Sequence, residues 1–269
     1  MRYIVLRLLA IAIIVSFFTG CGSGIPLTRS SSATPDLTGN WLFGADIPPA
    51  QAISFPIYAL TGAINSQDVN VSAVFRALGI CISPSQDIAL TGSQSADGTV
   101  TLTSTNLPNN VATITLNFTT LYNFVSGHGT ISISGSGPCA IPSTAFSGNE
   151  IQSVTGAYTG TISAASGFPS TATGTANLTQ EVANSDGLFP VIGSITIAGA
   201  SCTSTFSYTG LAAGPNISAT LASTSGPSAT GVVTGTINAG VIGPYLTLSI
   251  NILSSGCNNG AFNATLNSQ

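Results

Sequence analysis

The chain has 269 residues, only 4% of them charged, and a formal net charge of −4. It contains no lysine, and its four arginines (Arg2, Arg7, Arg29 and Arg76) form no cluster, which excludes a nucleic-acid footprint. Its 34 Thr and 36 Ser accompany frequent Val and Ile, with 30 Gly and 14 Pro at short intervals. That is a strand-and-turn composition, not the charged, β-branch-poor composition of a disordered chain.

The first element is an N-terminal segment in three parts. Arg2 and Arg7 precede an apolar run, Leu8 to Phe18, broken only by Ser16 and followed by small residues. This is the pattern of a secretory signal peptide. The run is too short for a permanent span, which needs roughly 20 residues. Phe18-Thr19-Gly20-Cys21 resembles the lipobox of bacterial lipoproteins, with Phe18 where Leu is usual. The resemblance covers the first 21 residues. It implies cleavage before Cys21, a thioether-linked diacylglycerol on its sulfur and acylation of the new amino group. Several acyl chains hold a membrane where one does not. Gly22, in place of an Asp that would resemble an inner-membrane retention signal, favours the outer membrane. Residues 1–20 are thus read as the signal peptide, and 21–36 as the lipidated cysteine with a small, polar tether reaching roughly 20 Å.

Two units follow, 37–152 and 153–269. Leu37-Thr38-Gly39-Asn40-Trp41 is answered by Val154-Thr155-Gly156-Ala157-Tyr158, Cys81 by Cys202, Cys139 by Cys257 and Ala145-Phe146 by Ala261-Phe262. The rare cysteines argue for true duplication. With Cys21 lipidated, four cysteines remain of five, and an exported chain favours disulfides. The simplest pairing is Cys81 with Cys139 and Cys202 with Cys257. Metal binding fails on spacing: there is no C-x-x-C pair and a single histidine. No cofactor is expected.

Within the units, apolar and polar residues alternate. Ala112, Ile114, Leu116 and Phe118 share one face of 111–118; Leu246, Leu248, Ile250 and Ile252 share one face of 245–252. Period-two alternation marks strands with one buried face. Asp97-Gly98, Asp186-Gly187 and Asn259-Gly260 fall between such runs, where tight turns belong. The second unit reads as eight strands, near 156–164, 171–180, 188–198, 202–209, 216–222, 229–238, 244–253 and 260–267, and the first reads the same way. The expected fold is therefore all-β, with two tandem antiparallel eight-stranded up-and-down barrel-like domains. Closure would remove the exposed edges. In each unit both cysteines would fall in turns at one end. The alternative is two immunoglobulin-like sandwiches, which lack their Trp and Tyr hallmarks here; a transmembrane barrel is a third reading.

Gly39-Asn40-Trp41 and Gly156-Ala157-Tyr158 resemble the Gly-x-Trp opening of lipocalin- and avidin-type (calycin) barrels, where the aromatic plugs one end. Only the tripeptide and the strand count match. The resemblance implies barrel topology and a ligand cavity, which makes Trp41 and Tyr158 ligand-binding candidates. The chain's single Trp does not supply the several-tryptophan site of avidins.

Chemistry-bearing residues are few. His128, in Ser126-Gly127-His128-Gly129 at an expected strand start, is read as a polar residue in a glycine-rich turn, with a general-base role the alternative. There is no G-x-S-x-G elbow, no lysine nucleophile and no phosphate loop. Eight carboxylates are scattered, with Glu150 and Glu181 the pair a glycosidase reading would have to use. Arg76 is either an anion-gripping cation or a solvent-facing strand residue; its parity differs from that of Ala73, Phe75 and Ala77. The expected function is a membrane-anchored, exported, non-enzymatic β-module for binding or surface structure, with the membrane and an envelope partner as its contacts. The alternatives are a lipocalin-like carrier of a small apolar ligand and a carboxylate-based hydrolase.

Overall fold

The structure, a computed structural model, describes residues 34–47, 55–82, 86–105, 107, 111–120, 126–135, 137–164, 172–198, 203–225, 228–240, 243–254 and 260–269. The signal segment, Cys21, Cys202 and Cys257 lie outside the described residues. The first unit holds strands β1 (Gly39–Ala45), β2 (Ala59–Gln67), β3 (Asn70–Leu78), β4 (Asp87–Gln94), β5 (Thr99–Thr105), β6 (Val111–Thr120), β7 (Ser126–Gly135) and β8 (Ile141–Ile151). The second holds β9 (Gly156–Ala164), β10 (Ala172–Gln180), β11 (Phe189–Ala198), β12 (Thr203–Ala213), β13 (Asn216–Ser225), β14 (Ala229–Asn238), β15 (Tyr245–Ser254) and β16 (Gly260–Ser268).

Each strand pairs antiparallel with its neighbours in sequence, and each unit closes on itself. Trp41 on β1 lies opposite Glu150 on β8, and Thr161 on β9 opposite Thr265 on β16. The chain is thus two tandem closed eight-stranded barrels, and the sandwich alternative is excluded. Closure follows from the alternation: an eight-stranded barrel is just wide enough for one layer of inward side chains to fill. In β10 the buried residues are Ala172, Gly174, Ala176 and Leu178, while the threonines between them face out. Interiors are predominantly hydrocarbon, with Gln94, Ser104, Thr120 and Ser204 as buried polar exceptions, and outer faces are hydroxyl-rich, the reverse of what lipid requires of a transmembrane barrel.

The repeated motif at the head of each unit has a structural reason. Leu37 and Val154 are buried plugs at the barrel ends. The Thr38 hydroxyl accepts the Ser66 N–H (3.1 Å), and the Thr155 hydroxyl accepts the Gln180 N–H (3.0 Å), which ties each plug to the end of its second strand. The plug N–H groups donate to side chains from the same place, Leu37 to Ser66 Oγ and Val154 to Gln180 Oε1. The aromatic then enters the lumen. Trp41 stacks on Phe43 with ring centroids 5.5 Å apart, and Phe43 meets Phe118 at 5.0 Å and Phe75 at 5.7 Å. Gly148 on β8 leaves the space that the Phe43 ring occupies.

Cys81, in the β3–β4 connection, and Cys139, between β7 and β8, form a disulfide that staples one end of the first barrel. The corresponding connections of the second barrel, β11–β12 and β15–β16, also share one end. The bridge closes a loop with a sequence separation of 58. Cys81→Ala/Cys139→Ala is expected to cost about 2–4 kcal/mol, chiefly by freeing the unfolded chain. Denaturant titration of the double variant checks this; an unchanged midpoint would refute it.

Candidate functional site at the seam of the barrels

The site begins with a residue facing away from its own barrel. On β1, Trp41 and Phe43 point inward, so Asn40 points out, yet it is only 1% exposed. Its Nδ2 donates to the Gly214 carbonyl (2.9 Å), and its Oδ1 accepts the Gly214 N–H (2.9 Å). Gly214 sits in the β12–β13 turn at φ +55°, in the left-handed region that favours glycine. The neighbouring β10–β11 turn brings Gly187, at φ +72°, against the Val74 carbonyl. In a meander these two turns share an end. That end of the second barrel therefore rests on the outer wall of the first, over β1, β2 and β3. Thr61 is buried beneath it, and Ala63 packs against the second barrel's core.

Beside this contact lies a cleft of about 660 Å³. Asn149, Glu150 and Ile151 at the end of β8 form one side, and Ile237, Asn238 and Ala239 at the end of β14 form the other. Glu150 shares the inward parity of Phe146 and Gly148 and emerges at the barrel mouth as the strand ends. Its carboxylate lies over Gly39, where an added Cβ would make it shift. Partial burial raises its pKa above the ordinary value, and the nearby charge of Asp36 raises it further.

The other carboxylates are placed differently. Thr38 N–H donates to Asp36 (3.0 Å), the Ser66 hydroxyl adds a second bond, and Asp36 is held below the usual range chiefly by Thr38. Asp97 is lowered by the Ser95 hydroxyl and then the Thr99 N–H within its own turn. Asp46 accepts from Ser147, and Asp186 from Ser185. Asp87 pairs with Arg76 at 3.1 Å, both side chains about one-third exposed. Among the described residues, Glu150 is a half-buried carboxylate with no hydrogen bond.

The residues singled out in the sequence come to four separate places. Trp41 is buried in the first lumen, its Nε1 donating to the Leu37 carbonyl (2.9 Å). Tyr158 is buried in the second, its hydroxyl without a partner. Arg76 is on the outer face of β3, as its parity required, and its guanidinium is engaged by Asp87. His128 lies at the start of β7, exposed; the strand start expected there is present, and the glycine-rich turn is not. Glycines 127 and 129 allow close strand approach there and do not bend the chain. Asn40 and Glu150 were missed as a site. The one signal was Asn40 itself, which breaks the match between the repeats where the second has Ala157.

Two further grooves lie on the outer wall of the second barrel. One, of about 380 Å³, is lined by Thr161, Thr265, Thr247 and Thr236, which stand opposite one another across four strands. The other, of about 620 Å³, carries the exposed Ile192, Leu211 and Val232.

No protein-family model, no curated protein and no solved structure matches the chain. The class that fold and site define is a tandem double barrel with a shared seam.

Proposed function

We propose that the chain is an exported, lipid-anchored, non-enzymatic β-module that works through the outside of its barrels. The observation that carries this reading is the distribution of space. Inward side chains fill both lumens in continuous packed clusters, while the seam cleft and both wall grooves lie outside. A lumen carrier of apolar ligands finds less support, because rings such as Phe43 and Phe118 stand where the ligand would sit. A hydrolase would need two carboxyl groups facing each other across roughly 5–9.5 Å of open site. Asp36, the carboxylate that acts on Glu150, is instead bound by Thr38 and Ser66.

The anchor rests on the lipobox resemblance at Cys21 and on the odd cysteine count. The outer membrane is the proposed address, and a Cys202–Cys257 disulfide the proposed counterpart of the observed one. Cells expressing the full chain and fed an alkyne-tagged fatty acid are expected to label it, and Cys21→Ser is expected to abolish the label and retain residues 1–20. An unlabelled wild-type chain, or a labelled Cys21→Ser chain, would sink the anchor.

A further inference from the structure

We infer that the seam cleft is a binding site for a small alkylammonium ligand, a primary amine on a hydrocarbon stem, with Glu150 as its counter-ion. The inference deepens the binding reading above and rests on it. Three observations converge. The cleft of about 660 Å³ is shared between the repeats, which places it where ligand sites concentrate, between packed bodies. Among the described lining residues the one ionisable group is Glu150, whose carboxylate holds no hydrogen bond from them, although a carboxylate offers about four acceptor positions. Around that charge the walls are mixed. Ile151, Ile237 and Ala239 supply hydrocarbon, while Asn149 and Gln152 supply neutral amides.

This combination selects among cations. A divalent metal requires several anionic or oxygen ligands around one point, and the described residues contain no group of three His, Cys, Asp or Glu able to hold a metal. An ammonium needs one carboxylate and a few neutral acceptors, and its methylene stem covers apolar wall as lysine stems do. Among the described residues the chain has one arginine, Arg76, to offer for that role. It has no lysine, and Arg76 is engaged by Asp87 on another wall. The surplus of carboxylates draws cations toward the surface and repels carboxylate ligands. Asp36, whose charge is felt at Glu150, adds to the same field.

The test is calorimetric titration of the full chain, in a neutral detergent at pH 7, with putrescine, 1,4-butanediol and succinate, three probes of equal length carrying ammonium, hydroxyl and carboxylate ends. Putrescine is expected to bind, and the other two are not. Glu150→Gln is expected to weaken putrescine at least about tenfold, the loss of one charge-assisted hydrogen bond. Val232→Ser, on the far wall, is expected to leave it unchanged. Equal thermal midpoints of wild type and Glu150→Gln at that pH or above certify the fold. No putrescine heat, equal binding by butanediol, or binding indifferent to Glu150→Gln would each overturn the inference. None of these outcomes bears on the fatty-acid label at Cys21, so the anchor stands or falls separately.

Discussion

Asn40→Ala is expected to lower stability by about 2–6 kcal/mol, a large loss for a residue on the outside of a barrel. Truncation leaves both the N–H and the carbonyl of Gly214 buried without partners, at about 1–3 kcal/mol each. Asn40→Asp is expected to be at least as damaging, because a carboxylate still accepts the N–H but opposes the carbonyl. Calorimetry of the wild type should give one melting transition for the docked barrels. The variants should split it, as each barrel unfolds at its own temperature. Gly187→Ala should act in the same direction, since φ +72° disfavours a side chain and the Val74 carbonyl of the other barrel stands in its way. An unsplit, unshifted transition in Asn40→Ala would refute the seam's energetic role.

The second large effect is alkaline. Tyr208 is buried in the second barrel with its hydroxyl unpartnered, and burial pushes its pKa up to about 12. In the unfolded chain it titrates near 10. Between pH 10 and 12 the unfolded state has lost this proton and the folded state keeps it, so stability falls as pH rises, by about 1.4 kcal/mol per pH unit and about 3 kcal/mol in all. The contribution is intact below pH 10 and gone above 12. Tyr158, raised in the same direction by burial, steepens the fall. Tyr208→Phe should flatten the profile and, by removing an orphaned hydroxyl, leave stability at pH 7 unchanged or higher. Urea midpoints from pH 8 to 12 measure both; a wild-type profile parallel to that of the Phe variant would refute the assignment.

The strands were legible because their code is local. The expected 156–164 and 229–238 are β9 and β14 themselves, and Leu246, Leu248, Ile250 and Ile252 point inward as their parity requires. Strand β12 ran further than expected, to Ala213 instead of residue 209. Its last turn, Gly210-Leu211-Ala212-Ala213, has no polar alternation to read, and its pairing with Asn216–Ser218 extends it. Closure was inferable from even strand number and missing edges. The seam was not, because it is a contact between residues with no shared periodicity. Asn40 and Gly214 are each ordinary in their own strand or turn, and only the docked pair reveals why one is an amide and the other lacks a side chain. Glu150 shows the same limit. Its inward parity reads as core, and only the end of β8 and the facing end of β14 turn it into the wall of a cleft.

Asn40 and Gly214 stand 174 residues apart, and that interval has a consequence for assembly. A chain delivered N-terminus first completes the first barrel when Ile151 emerges, well before Gly214 arrives. Throughout that wait the docking wall of the first barrel faces water. Because its central contact is an amide, it is solvated in the interim, whereas a hydrophobic docking wall would be an adhesive patch open to neighbouring nascent chains. The polar lock thus serves twice, once as a surface that tolerates delay and once as the latch that closes when the second half is delivered.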